Sequence, residues 1–132
     1  MGRHYEIAQR WMALWNGDLS ELETLIASEI VVHAAVIGRL DTGPLVGREA
    51  LRDWITAAHG MLPAVRFSIE VGPIADGEMM VVRWRGKGSH GAADIDFTGT
   101  DTLRIKDGRI GELWTNADTM LMLQQAGMIP LA

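Results

Sequence analysis

The chain has 132 residues, 48% of them hydrophobic, with a formal net charge of -5 and no cysteine. That length and apolar content suit one domain, residues 1–132, around a single core, and the missing cysteine excludes a disulfide framework, a thiolate metal site and a cysteine nucleophile. The acidic balance argues against nucleic acid, which is held by clustered Lys and Arg. The start of the chain has no signal-peptide apolar core and no apolar run is long enough to span a bilayer, so a cytoplasmic protein without membrane contact is expected.

In chain order, Tyr5, Ala8, Trp11, Met12 and Trp15 recur at helical spacing before Asn16-Gly17, which predicts a first helix over about 3–16. Ser20-Glu21-Leu22-Glu23 reads as a capping box opening a second helix that runs to about Ser28. Glu29 to Ile37 is β-branched and apolar apart from His33, which predicts a short strand followed by a loop to Pro44. A third helix runs from Gly47 to Gly60, with Leu51, Trp54, Ile55 and Ala58 on one stripe.

From Val65 the period changes to two, and Asp76-Gly77 and Asp107-Gly108 mark two tight hairpins. A two-residue loop at the first sets Ile69 opposite Trp84 and Phe67 opposite Gly86, with Glu70 against Arg83 on the other face. At the second it sets Ile105 opposite Ile110, Leu103 opposite Glu112 and Asp101 opposite Trp114. In this register Asp101, Glu112, Asn116 and Asp118 share a face with Phe97, Leu103, Ile110 and Trp114. Acids on an apolar face need partners or a water-filled cavity, so a pocket is expected there. A last helix from about Asp118 to Gln125 ends at Gly127. The expected architecture is α+β: a cone-shaped, curved antiparallel sheet packed on three N-terminal helices, with a short C-terminal helix.

This order of elements carries Trp11-Met12-Ala13-Leu14-Trp15-Asn16-Gly17 at the front and Val31-Val32-His33 with Gly47-Arg48-Glu49-Ala50-Leu51 in the middle. It closes on Asp107-Gly108-Arg109-Ile110-Gly111-Glu112-Leu113-Trp114, Asp118 and Leu123-Gln124-Gln125. The chain thereby resembles the SnoaL-like polyketide cyclase family, within the nuclear transport factor 2-like fold. The resemblance implies a cone-shaped pocket for a hydrophobic, carbonyl-bearing small molecule, and acid/base chemistry of cyclase, isomerase or dehydratase (lyase) type without cofactor or metal. It also implies a homodimer formed through the sheet. By motif position the family's pocket Asp corresponds to Asp118, while Thr102 and Arg104 stand where a cyclase carries Gln or His. The fold also hosts non-catalytic ligand binders, dimerisation modules and epoxide hydrolases. A hydrolase of that kind would want an Arg flanked by Asp, and Arg83-Trp84-Arg85 has no adjoining carboxylate.

The candidate catalytic residues are Asp118, His90, His33 and Asn116. Asp118 in an apolar cavity has the raised pKa of a useful base, and as the residue before Thr119-Met120-Leu121 it equally suits a helix N-cap. His90 shares the parity of Val82 and Trp84 and suits a proton relay, unless Gly86 and Gly88 bulge the strand. His33 reads as pocket lining or as a satisfied core residue. Asn116 reads as an oxyanion donor or as a partner for loop backbone. Substrate contact is expected from Trp15, Trp54, Trp84 and Trp114, and from Asp101, which could instead be salt-bridged to an Arg. No two histidines have metal-ligand spacing and no nucleophile-elbow sequence is present.

Overall fold

The computed structural model describes residues 2–130. The first helix, α1 (Gly2–Trp15), buries Ile7, Ala8, Trp11, Met12 and Leu14 and stops where Gly17 takes a φ of 100°, a conformation that glycine adopts without steric cost. The second helix is a single turn, α2 (Leu22–Leu25), shorter than its sequence pattern predicts. Ser20 does not cap it: Asp18 Oδ1 accepts from the Ser20 N–H at 3.1 Å, and the N-cap residue Glu21 makes no side-chain capping bond. The β-branched run following Leu25 wins the segment for the sheet. Strand β1 (Ile26–His33) therefore begins earlier and ends earlier than predicted.

A two-residue strand, β2 (Leu45–Val46), precedes α3 (Arg48–Met61), which runs through Gly60 and stops short of Pro63. Four long strands follow: β3 (Ala64–Asp76), β4 (Met79–His90), β5 (Ala93–Lys106) and β6 (Arg109–Ala117). The closing helix α4 (Thr119–Gln125) ends ahead of Gly127, whose φ is 73°.

The six strands form one curved, unclosed sheet in the order β2-β1-β6-β5-β4-β3. All pairs are antiparallel except β1 with β6, which lie parallel with His33 beside Trp114. Helices cover the inner face, where Trp11, Leu25, Ile30, Leu51, Met80 and Leu103 are among the fully buried side chains. The α+β class follows from the sequence pattern, whereas the parallel contact between the first and last long segments does not, because it joins residues some eighty positions apart.

Register is where sequence and structure part. In β3 and β4 the inner pairs Ile69 with Trp84 and Phe67 with Gly86 stand as the hairpin predicts. Nearer the turn, β3 carries two bulges, so the turn residues become Gly77-Glu78 and Ile74 faces Val81. In β5 and β6, Ile105 faces Ile110 as expected, but Arg104 then faces Glu112, so Gly111 is an extra residue in β6. A bulge of one residue moves every following side chain to the other face. Leu113 and Thr115 therefore turn inward, and Glu112 and Trp114 turn outward.

Candidate active site

Between the helices and the curled sheet lies a cavity of about 360 Å³. Its walls are mostly apolar: Met12 and Trp15 of α1, Trp54 and Met61 of α3, and Met122 of α4. The sheet contributes Phe67, Trp84 and Phe97, which pack edge to face with ring centroids 5.3 to 6.2 Å apart, the favoured arrangement for aromatic pairs. Trp15 joins this group edge-on to Trp54 at 4.9 Å and to Phe67 at 6.4 Å. The end of α1 is pinned to β3 by the Asn16 amide, which donates to Phe67 O at 2.9 Å and accepts from Phe67 N at 2.7 Å.

Two glycines make the aromatic wall possible. Gly99 lies directly across from Trp84, and a Cβ there would sit 2.1 Å from Trp84 Cζ2. A Cβ on Gly86 would meet the rings of Phe67 and Phe97 at 2.9 and 3.0 Å. Both positions need the absence of a side chain rather than an unusual backbone angle.

Into this apolar space the sheet sets one carboxyl group. Asp101 of β5 is 4% exposed, the single charged residue buried among the described residues. Its Oδ2 accepts from Trp11 Nε1 at 2.8 Å and its Oδ1 from Thr115 Oγ1 at 2.5 Å. Burial pushes its pKa above the usual carboxylate range, outweighing the side chains of Thr115, Trp11 and Trp84, which favour the charged form. A carboxyl group so placed holds its proton nearer to neutral pH and, once ionised, is a stronger base than a solvated one.

The residues proposed from sequence are distributed as follows. Trp15, Trp54, Trp84 and Asp101 line the cavity, and Asn116 forms part of its wall at the mouth while remaining exposed. Asp101 meets indole and hydroxyl groups, not the arginine that its alternative reading supposed. Trp114 is outside: the Gly111 bulge places it on the outer face, stacked on His33 at 5.3 Å with the Arg104 guanidinium 5.7 Å from its ring centre. His33 Nε2 is 2.8 Å from Glu112 Oε2 on that same face, and this contact, with Arg104 beside it, holds Glu112 below the usual carboxylate range. Thr102 and Arg104 also belong to the outer face, opposite Trp114 and Glu112.

His90 is the last residue of β4, six positions beyond Trp84 and so about 20 Å along the strand, and it does not line the cavity. The β4 and β5 register stays regular up to His90, which faces Ala93. Asp118 is exposed, and its Oδ1 accepts from Leu121 N at 3.3 Å as the N-cap of α4. Replacing it by Ala is expected to cost about 1 kcal/mol of stability and by Asn far less, since Asn caps as well as Asp. Thermal unfolding of both variants checks this, and equal losses would contradict a capping role. The Arg-carboxylate arrangement absent from the local sequence is present across strands, where Arg85 bonds both oxygens of Asp96 at 2.8 and 3.0 Å. It is exposed on the outer face and has no part in the cavity.

Thr115 and Trp11 are the site residues that sequence reasoning missed. Trp11 reads as plain core, and Thr115 falls on the wrong face until the bulge is known. The one available signal was Gly111, since glycine inside a strand often marks a bulge.

The SnoaL-like domain family model matches residues 8–113. This chain belongs to the SnoaL-like family. A solved structure similar to this SnoaL-like chain is a protein assigned as a polyketide cyclase from Bacillus cereus ATCC 10987. It is 27% identical with a TM-score of 0.84, over 96% of this chain and 82% of that one. IdmH from Streptomyces antibioticus, also assigned as a polyketide cyclase, is 24% identical with a TM-score of 0.81, over 94% of this chain and 98% of its own. A protein of ketosteroid isomerase-like fold from Catenulispora acidiphila DSM 44928, in complex with trimethylamine, is 22% identical with a TM-score of 0.76, over 94% of each chain. These likenesses agree with the SnoaL-like fold described above. No curated protein matches the chain. Among the described residues of this SnoaL-like protein, no helix is long and apolar enough to cross a membrane.

Proposed function

We propose that this SnoaL-like protein transfers protons to and from a hydrophobic, carbonyl-bearing small molecule, with Asp101 as the acid/base group. The observation that carries the reading is a buried carboxyl group at the wall of an otherwise aromatic and aliphatic cavity. Enolisation at a carbonyl is the step that cyclase, isomerase and dehydratase chemistry share, and it needs a proton carrier of raised pKa in a dry site. Asp118, His33 and His90 are left outside this role because none of them lines the cavity. The test is exchange of α-protons for deuterium in a panel of hydrophobic ketones, followed by NMR. Wild type is expected to speed the exchange and Asp101→Asn to lose at least about 100-fold of that. Equal rates for the two proteins would refute the reading.

A second reading, a non-catalytic binder, is favoured by one specific feature: both Asp101 oxygens already have protein donors. On that reading Asp101→Asn changes ligand affinity and neither protein exchanges a proton.

Homodimerisation through the outer face of the sheet, implied by the family resemblance, is part of the same proposal. Light scattering after size exclusion is expected to give twice the 14.5 kDa of the chain, and a monomer mass at tens of micromolar would remove the dimer from it.

A further inference from the structure

The two oxygens of Asp101 are not equivalent. Trp11 Nε1 is a donor only, so Oδ2, 2.8 Å away, acts as an acceptor in every protonation state. Oδ1 is 2.5 Å from Thr115 Oγ1, the separation of a strong O–H···O bond. A proton taken up by Asp101 therefore belongs on Oδ1 and points at Thr115.

A hydroxyl has one hydrogen and two acceptor sites. With Asp101 ionised, Thr115 gives its hydrogen to Oδ1 and only its lone pairs remain for the cavity. With Asp101 neutral, Thr115 accepts from Oδ1, and its own hydrogen is free to donate to a ligand. Thr115 is half-buried on the cavity wall whereas Asp101 is 4% exposed, so an oxygen entering the cavity meets the Thr115 hydroxyl ahead of the carboxyl group. The neighbours of Asp101 across the sheet are Val82 and Thr115, from α1 it meets Trp11, and the uncharged Trp84 side chain of β4 also favours its ionised form. Among the described residues no charged group contributes to its ionisation.

We propose that Thr115 is the group through which Asp101 and the ligand exchange a proton, so that the site holds a carbonyl oxygen when Asp101 is neutral and a hydroxyl or enol when it is ionised. The proposal rests on the acid/base reading of Asp101 and narrows its ligand to compounds that interconvert between keto and enol forms. Once ionised Asp101 has taken up the α-proton and left the ligand an enolate, the transfer to the enolate oxygen balances within three groups. The Oδ1–H bond breaks as a new H–Oγ1 bond forms, and the former Thr115 O–H breaks as the ligand O–H forms. Asp101 is left as a carboxylate held by the Trp11 N–H and the Thr115 O–H, and the reverse sequence restores the starting state.

The test uses 2-acetylnaphthalene labelled with carbon-13 at the carbonyl, and reads the infrared carbonyl stretch of the bound probe against pH. In wild type a shift to lower frequency is expected at low pH, fading as Asp101 ionises. Thr115→Val is expected to lose the shift and to bind the ketone roughly five- to tenfold more weakly, while Thr115→Ser keeps both. Asp101→Asn, whose amide N–H donates to Thr115, is expected to keep the shift at every pH. Thr115→Ser and the pH titration read the same contact in proteins that retain the hydroxyl, so the result does not depend on Thr115→Val folding. A shift that survives Thr115→Val overturns the relay and leaves the acid/base reading intact, provided Asp101→Asn still loses α-proton exchange. A carbonyl left unshifted by wild type at every pH overturns the relay. If α-proton exchange is absent as well, the reading beneath it falls too.

Discussion

Asp101→Asn is expected to stabilise the fold near neutral pH while abolishing the proton transfer proposed for the site. The folded-state pKa of Asp101 is raised above its ordinary value of 3.8 by burial, so between those two values the folded chain keeps a proton that the unfolded chain has released. Stability must then fall as pH rises. The contribution of this group is greatest below the ordinary carboxylate value. It declines by up to about 1.4 kcal/mol per pH unit through the window and levels off above the folded pKa. Asparagine matches the neutral acid in shape, accepts from Trp11, donates to Thr115 and does not titrate.

The difference in stability between variant and wild type, measured by urea unfolding from about pH 4 to pH 8, is therefore expected to grow with pH in favour of the variant. Glu70, Asp96 and Glu112 carry shifts of the opposite direction, each lowered chiefly by a hydrogen bond from a cationic or histidine side chain. Their contribution is present above the ordinary carboxylate values and is lost as pH falls from there through their lowered folded-state values. They are common to both proteins and cancel in the comparison. A difference that stays flat with pH would mean that Asp101 titrates like a solvated carboxylate, and the case for an acid/base group would go with it.

Gly99→Ala is expected to injure the cavity and the stability of the fold together. The added methyl would stand 2.1 Å from Cζ2 and 2.6 Å from Cε2 of Trp84, far inside contact distance, so the indole must tilt. Phe67 and Phe97 hold it edge-on at 5.3 and 5.4 Å, and the direction left to it is the cavity that it already lines. Overpacking of this kind costs about 1 to 3 kcal/mol. The ligand volume shrinks at the same time, so binding of an aromatic ketone is expected to weaken together with stability. Trp84→Phe in the Gly99→Ala background should recover part of both, because the smaller ring leaves room for the methyl. Calorimetry of the single and double variants checks the coupling. Unchanged unfolding in Gly99→Ala would show that the sheet accommodates the methyl by a backbone shift instead.

The candidate site was legible in pieces. Trp15, Trp54 and Trp84 could be placed against a pocket because helical and strand periodicities fix which face each presents. Asp101 was visible as an acid of inward parity, but the groups that it meets were not. Trp11 is ninety residues away in sequence, and no local rule brings an α1 indole to a β5 carboxyl group. Asp118 satisfied two local patterns at once, and the observed contact is the helix cap. His33 and Trp114 look like pocket residues in isolation, yet they stack on one another outside it.

By itself the sequence determined the class of the fold, the positions of α1, α3 and α4 to within a residue or two, the β5–β6 turn and, to within a residue, the β3–β4 turn, and membership of the SnoaL-like family. These depend on local backbone preferences and on apolar periodicity, which neighbouring residues encode directly. Only the tertiary structure decided the parallel seating of β1 against β6, the bulges in β3 and β6, and hence which of Trp114 and Thr115 faces the cavity. One extra residue at Gly111 inverts a strand face, and whether a chain takes that bulge depends on packing against helices distant in sequence rather than on the strand alone.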